Sequence, residues 1–198
     1  MNLFNFFKKK KKTEGETVGN GEPSTEQISF AKMVLEIISP TVESFGFVRH
    51  AIEIKTYSTN VVYRKGKCYI KIDSTTYPTD YPYHYNIVLG EGDSEDFFDY
   101  DWSSIALWQL AKIMDSKTTI SSYDFPYNND IKASILRANA DLLKYGEDFL
   151  KGELTNFYQA RMAINKQREP YKIHSTDSNG NYITTNEPNS VKQKGKYS

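Results

Sequence analysis

The stretch STNVVYRKGKCYIKID, residues 58–73, holds two strand-like runs on either side of Lys65-Gly66-Lys67. A glycine in so short a link supplies the positive φ that a tight hairpin loop needs. In the second run Cys68, Ile70 and Ile72 point one way and Tyr69, Lys71 and Asp73 the other. That period of two is a pleated strand with one apolar face. FVRHAIEIKTY (47–57), just upstream, puts Val48, His50, Ile52 and Ile54 on one face, with Arg49, Glu53 and Lys55 on the other. Downstream, YHYNIVL (83–89) groups Tyr85, Ile87 and Leu89. Alternation of this kind predicts a sheet covered on one face, and short links predict an antiparallel meander of four strands. TTYPTDYPY (75–83), with two prolines and three tyrosines, reads as loop.

Helical periodicity flanks the meander on both sides. Ser24 is a natural N-cap with Gln27 as its capping-box partner, and Ile28, Ala31, Val34, Leu35, Ile38, Val42 and Phe45 form one stripe. Pro40 is expected to end or kink this helix near Ser39, with Gly46 as the final stop. After the meander, SSIALWQLAKIM (103–114) is apolar nearly all round and predicts a buried helix starting near Ser103. DIKASILRANADLLKYG (130–146) is expected to stop at Gly146, and a further helix follows in GELTNFYQARMAINKQRE (152–169), with Leu154, Phe157, Arg161 and Ile164 in phase. The expected class is α+β: an N-terminal helix, a four-stranded antiparallel β-meander, then three C-terminal helices packed on one sheet face. Residues 1–23 read as a disordered leader and linker, 24–170 as a single α+β domain, and 171–198 as a mostly disordered polar tail.

A chain of 198 residues is long enough for a substantial core. Its zero formal charge hides two basic ends around an acidic middle: residues 13–164 hold 14 basic and 22 acidic side chains, a net of −8. Nucleic-acid binding calls for a clustered basic surface, so it is not expected. Cys68 is the only cysteine, which excludes an intrachain disulfide and suits a reducing cytoplasm. The opening MNLFNFFKKKKK has its short apolar part before its charges, the reverse of a secretory signal. It reads either as a solubilising leader or as a contact with an anionic inner-membrane surface. In the second reading Leu3, Phe4, Phe6 and Phe7 rest in the interface, and Lys8, Lys9, Lys10, Lys11 and Lys12 each add about 1 kcal/mol.

Chemistry-bearing motifs are few. GxSxG, P-loop, dinucleotide and HExxH patterns are missing, so neither an enzyme nor a cofactor is expected. Cys68 with His50 or His84 is the one nucleophile–base combination available, although Cys68 lies on a core-facing position where thiols are inert. EGDSEDFFDYDW (91–102) concentrates negative charge beside aromatic rings and contains no basic residue. Asp93, Glu95, Asp96, Asp99 and Asp101 do not follow a calcium-loop spacing, and DSNGN (177–181) resembles only half of one, since position 188 is proline. Two readings of the acidic band stay open. Asp99 or Asp101 could cap a helix starting near Ser103. Alternatively Asp93, Glu95, Asp96, Phe97, Phe98, Asp99, Tyr100 and Asp101 form a recognition surface, with aromatic anchors inside a charged rim.

The order of helix, FGF, meander, DWSSIALWQL and LRANADLLKYGEDFLKGELTNFYQAR resembles small bacterial proteins over residues 24–170. Among these are immunity proteins of polymorphic-toxin and contact-dependent inhibition systems. The resemblance implies a cytoplasmic protein that binds and neutralises a basic toxin, often through an acidic face. The alternatives are an accessory protein held at the inner membrane face by the Phe/Lys leader, and an enzyme built around Cys68, His50 and His84.

Overall fold

The computed structural model describes residues 22–92, 103–119, 122–127, 130–167 and 172–186. The first element is helix α1 (Thr25–Ser44), followed by strands β1 (Val48–Ile54), β2 (Ser58–Lys65), β3 (Cys68–Thr75) and β4 (His84–Glu91). Next come β5 (Ser104–Ala106), α2 (Leu107–Met114), β6 (Tyr123–Asp124), α3 (Asp130–Lys151), α4 (Thr155–Gln167), β7 (Lys172–Thr176) and β8 (Tyr182–Asn186). The class is α+β as expected, and the four runs do form an antiparallel meander in the order β1-β2-β3-β4. Its hairpin is tight: Lys65 pairs with Cys68 across Gly66-Lys67, and Gly66 takes φ +59°.

The sheet is larger than the meander. Two short strands share the far edge of β4, with β5 pairing at Val88–Gly90 and β6 at His84–Tyr85, which makes six strands. Residues 104–106 are therefore strand and not the start of a helix. Ile105 faces the core at 1% exposure, and the ladder to β4 satisfies the backbone that a helix would otherwise satisfy. Helix α2 begins only at Leu107. It buries Leu107, Leu110 and Ala111 and leaves Ile113 and Met114 exposed, so it is one-sided. β1 also departs from its expected facing: a bulge between Arg49 and Ala51 shifts the register, and Val48 and His50 are exposed.

The four α-helices of the described residues cover the same sheet face. Phe30, Val34, Ile38 and Val42 of α1 join Val61, Tyr63, Ile70, Ile72, Tyr85, Ile87 and Leu89, with α2, α3 and α4 closing the layer. α1 runs unbroken through Pro40, against expectation. Pro40 lies on the solvent side, where water can reach the carbonyl it leaves unbonded, while Ile38 and Val42 on the other side are fully buried. α3 likewise passes through Gly146 to Lys151. That glycine is a close-packing position, where a β-carbon would come 3.0 Å from Leu142 and 3.6 Å from Leu107. Gly152, at φ +96°, is the residue that ends the helix.

The outer face is not wholly bare. Val62, Tyr69 and Val88 form a second, small buried cluster there, and the Tyr69 ring lies across Gly90, its cross-strand partner. Residues 172–186, read from composition as part of a disordered tail, pair instead as an antiparallel hairpin. Its turn is held by Asp177, whose carboxylate accepts from the Asn179 and Asn181 backbone N–H groups, both at 2.8 Å. The DSNGN motif is thus an Asx-type turn. No helix of the described residues is long and apolar enough to cross a membrane.

Buried polar side chains at the start of α1 and among the core tyrosines are hydrogen-bonded. Ser24 caps α1 by accepting from the Gln27 N–H at 3.2 Å. The Gln27 side chain turns to the sheet instead of back to the cap. Its oxygen accepts from Thr59 Oγ1 (2.7 Å) and Ser74 Oγ (2.8 Å), and its nitrogen donates to Thr76 Oγ1 (3.1 Å). Three tyrosines bury their hydroxyls with one partner each: Tyr63 with Ser39 (2.5 Å), Tyr85 with Ser134 (2.8 Å) and Tyr123 with Asp141 (3.0 Å). Burial pushes Tyr63 and Tyr85 up to about 12, and burial followed by the Asp141 carboxylate raises Tyr123. Unfolded tyrosine ionises near 10, so above that pH the folded chain holds more protons than the unfolded one. The stability these phenols contribute is complete below about pH 10 and is lost as pH climbs through about 12. We expect the urea midpoint to fall steadily between about pH 10 and 12, with a class of tyrosines that ionise only as the chain unfolds. A constant midpoint, with every tyrosine titrating near pH 10 in the folded chain, would contradict this.

Candidate functional site

Glu91 ends β4, Ser104 opens β5, and Gly90 pairs with Ser104. Residues 93–102 therefore connect two adjacent antiparallel strands, leaving and returning at one corner of the sheet. That corner is tightly bonded. The Glu91 N–H donates to the Ser103 carbonyl (3.2 Å) and the Gly92 N–H to the Lys67 carbonyl (2.9 Å). Arg64 donates from Nη1 to the Gly92 carbonyl and Arg161 from Nη1 to the Ser103 carbonyl, each at 2.9 Å. One arginine thus holds each root of the connection.

Arg161 is the largest fully buried side chain among the described residues. Its guanidinium lies over the rings of Phe157 (4.9 Å) and Tyr158 (5.2 Å) and is 3.8 Å from Glu91 Oε2. At that separation the pair is an ion pair and not a hydrogen bond. Tyr158 completes the corner by donating to Glu91 Oε1 at 3.2 Å, and burial, then Glu91, raises its phenol pKa. A buried cation this well surrounded fixes the position of both strand ends.

The candidate residues are distributed unevenly. Asp93, Glu95, Asp96, Phe97, Phe98, Asp99, Tyr100 and Asp101 lie outside the described residues, as do Leu3, Phe4, Phe6, Phe7 and Lys8 to Lys12. The cap reading of the acidic band does not hold at its downstream root. The N-cap of α2 is Ala106, its backbone N–H is bonded to Gln109 Oε1 at 3.0 Å, and no acid stands in its first turn. Three strand residues separate that helix from Ser103.

Cys68, His50 and His84 are not brought together. Cys68 pairs with Glu91 at one end of the β3–β4 ladder, and His84 pairs with Thr75 at the other, about 23 Å away at 3.3 Å per residue. His50 is exposed on β1, two strands from β3. Cys68 is half-buried, and burial, followed by Glu91, pushes its thiol pKa up, which disfavours the thiolate. Ser122, His84 and Asp124 meet, but Ser122 Oγ (3.5 Å) and Asp124 Oδ1 (3.4 Å) both approach Nδ1. A serine–histidine relay needs the two on opposite ring nitrogens. Among the described residues no group of three or more His, Cys, Asp or Glu side chains is arranged to hold a metal. A shallow groove of about 400 Å³ between α2 and α4, lined by Trp108, Lys112, Ile113 and Ile164, is mostly apolar and carries no serine, cysteine, histidine or carboxylate.

The arginine clamp went unread in the sequence, although a signal was present: Arg161 sits in phase with the buried Phe157 on an otherwise apolar stripe. No protein-family model, curated protein or solved structure matches this chain.

Proposed function

We propose that this chain is a protein-binding protein of the immunity type, acting in the cytoplasm. It presents the acidic, aromatic connection from Asp93 to Asp101 to a basic partner such as a toxin. The observation that carries the reading is the path of the chain on either side of that connection. It links two paired strands and leads into a three-residue strand, and the helix that follows has Ala106 as its N-cap, so that helix takes no cap from the connection. Acidic charge carried between two arginine-anchored roots suits long-range attraction of a cationic protein. The resemblance over residues 24–170 points the same way.

The test uses a basic partner purified from the source cell and the full chain. Asp93→Asn, Glu95→Gln and Asp96→Asn together should lower the association rate about tenfold at low salt and flatten its salt dependence, since rim charges act by steering. Phe98→Ala should instead speed dissociation, with a loss of about 2 kcal/mol. Equal association rates and equal salt slopes for wild type and triple variant overturn the proposal.

A further inference from the structure

At the other end of β4 from the acidic connection, the chain gathers exposed tyrosines around the start of α1. Tyr81 is 78% exposed, Tyr77 and Tyr127 44%, and Tyr57 41%. These rings form two sets of contacts and are not isolated surface residues. Tyr57 packs on Tyr77 (5.4 Å), Tyr81 on Tyr83 (5.5 Å), Tyr83 on Tyr127 (6.5 Å), and Tyr127 on the buried Phe125 (5.5 Å). Both sets reach the start of α1, the second through Phe125 packed on Phe30 (5.3 Å). Thr76 receives the Gln27 side chain and donates its backbone N–H to the Tyr57 carbonyl, and Thr56 bonds the Glu22 carbonyl. Burial, then the charges of Tyr83, Glu26 and Tyr81, hold the Tyr127 phenol above its ordinary pKa.

Among the described residues, the stretches that carry these rings and the start of α1 (22–31, 56–57, 76–83 and 122–127) hold Glu22, Glu26, Asp80 and Asp124 but no lysine or arginine. Asp124 is almost fully exposed at 89%. Lys55, the nearest cation along the chain, is paired with Glu53 at 3.2 Å, and Arg137 lies over the buried Tyr123. The positive end of α1, worth about half a charge, is outweighed by four carboxylates. Electron-rich ring faces with acids and no competing cations are the chemistry that recognises ammonium and guanidinium groups.

We infer that Tyr77, Tyr81, Tyr83 and Tyr127, with Glu26, Asp80 and Asp124, form a binding surface for the lysine or arginine side chains of a basic peptide segment. The rings supply cation–π contact and low-entropy apolar area, and the carboxylates supply attraction and exclude acidic peptides. This surface lies about 23 Å along β4 from the Glu91 corner and does not depend on the acidic connection. A single extended basic partner can engage both ends of the strand.

Fluorescence anisotropy with a labelled lysine–glycine decapeptide, and its lysine-acetylated twin, tests the inference on the full chain. The background carries Asp93→Asn, Glu95→Gln and Asp96→Asn, so that binding at the connection does not contribute. On that background the charged peptide should still bind, more weakly as salt is raised, and the acetylated peptide should bind at least tenfold more weakly. Tyr81→Ala with Tyr127→Ala should cost roughly 4- to 25-fold, at about 2- to 5-fold per exposed ring. Tyr81→Phe with Tyr127→Phe keeps the ring faces and should restore most of the affinity, which separates ring contact from misfolding. Undiminished binding by the double alanine variant overturns the inference, as does equal binding of the acetylated peptide. Self-association that the double alanine variant abolishes, without peptide binding, assigns the rings to a second copy of the chain and also overturns it.

Discussion

Arg161→Ala is expected to destabilise the chain by about 3 kcal/mol, seen as a fall in melting temperature of about 6–12 °C. Three losses combine at this position. The Ser103 carbonyl loses its charged donor, and Phe157 and Tyr158 lose the flat cation packed on them. Glu91, whose side chain is only 21% exposed, loses its counter-charge at 3.8 Å. Removing one member of a buried ion pair is costlier than removing both, because the survivor is left charged without a partner. Arg161→Met, which keeps most of the volume, should be milder than alanine. Adding Glu91→Gln to Arg161→Met should recover stability relative to Arg161→Met alone. Chemical denaturation of these variants measures the coupling directly. An alanine variant within 1 kcal/mol of wild type would show that the corner does not depend on its buried cation.

Gly90→Ala should be comparably damaging for a steric reason. Gly90 does not have a positive φ, so the backbone there accepts any residue and only space is lacking. A β-carbon at this position would stand 2.1 Å from Tyr69 Cζ and 2.4 Å from its hydroxyl oxygen. The ring, fully buried beside Val62 and Val88, must swing out, and the outer-face cluster goes with it. Overpacking of this severity costs about 3 kcal/mol. The diagnosis has a sharp check: in a Tyr69→Ala background the clash partner is gone, and Gly90→Ala should then cost less than 1 kcal/mol. A full penalty in that background would place the strain somewhere other than the ring.

Elements whose information is local were legible in the sequence. The β2–β3 hairpin follows from alternation on each side of a glycine, and the stripe of α1 from a repeat of three and four. What was not legible depends on tertiary neighbours. Pro40 ends a helix in isolation but not when its missing bond faces water and Ile38 and Val42 are held in the core. Gly146 reads as a stop until Leu107 is seen packed against it. Ser104–Ala106 is too short for any period to register, so its apolar residues merged with the helix after it. The fate of the acidic band depended on that boundary. With the helix starting at Leu107 and not at Ser103, its N-cap is Ala106, so neither Asp99 nor Asp101 is that cap. The tyrosine surface was hidden for the opposite reason: its residues were plain in TTYPTDYPY, but their meeting with Tyr127 and Glu26 is purely three-dimensional.

The glutamine under the start of α1 has a consequence for uniqueness. Phe30, Val34, Ile38 and Val42 recur every four residues, so a helix displaced by one turn, about 5.4 Å, would present nearly the same apolar ridge to the sheet. Packing alone distinguishes such slipped arrangements poorly. Gln27 does not repeat, and in the observed arrangement it meets Thr59, Ser74 and Thr76 together. In a slipped arrangement the buried amide and the hydroxyls would lose one another, at about 1–3 kcal/mol for each group left unpaired. One polar side chain at the end of an otherwise repetitive ridge therefore acts as an index mark, selecting a single docking position from a ladder of near-equivalent ones.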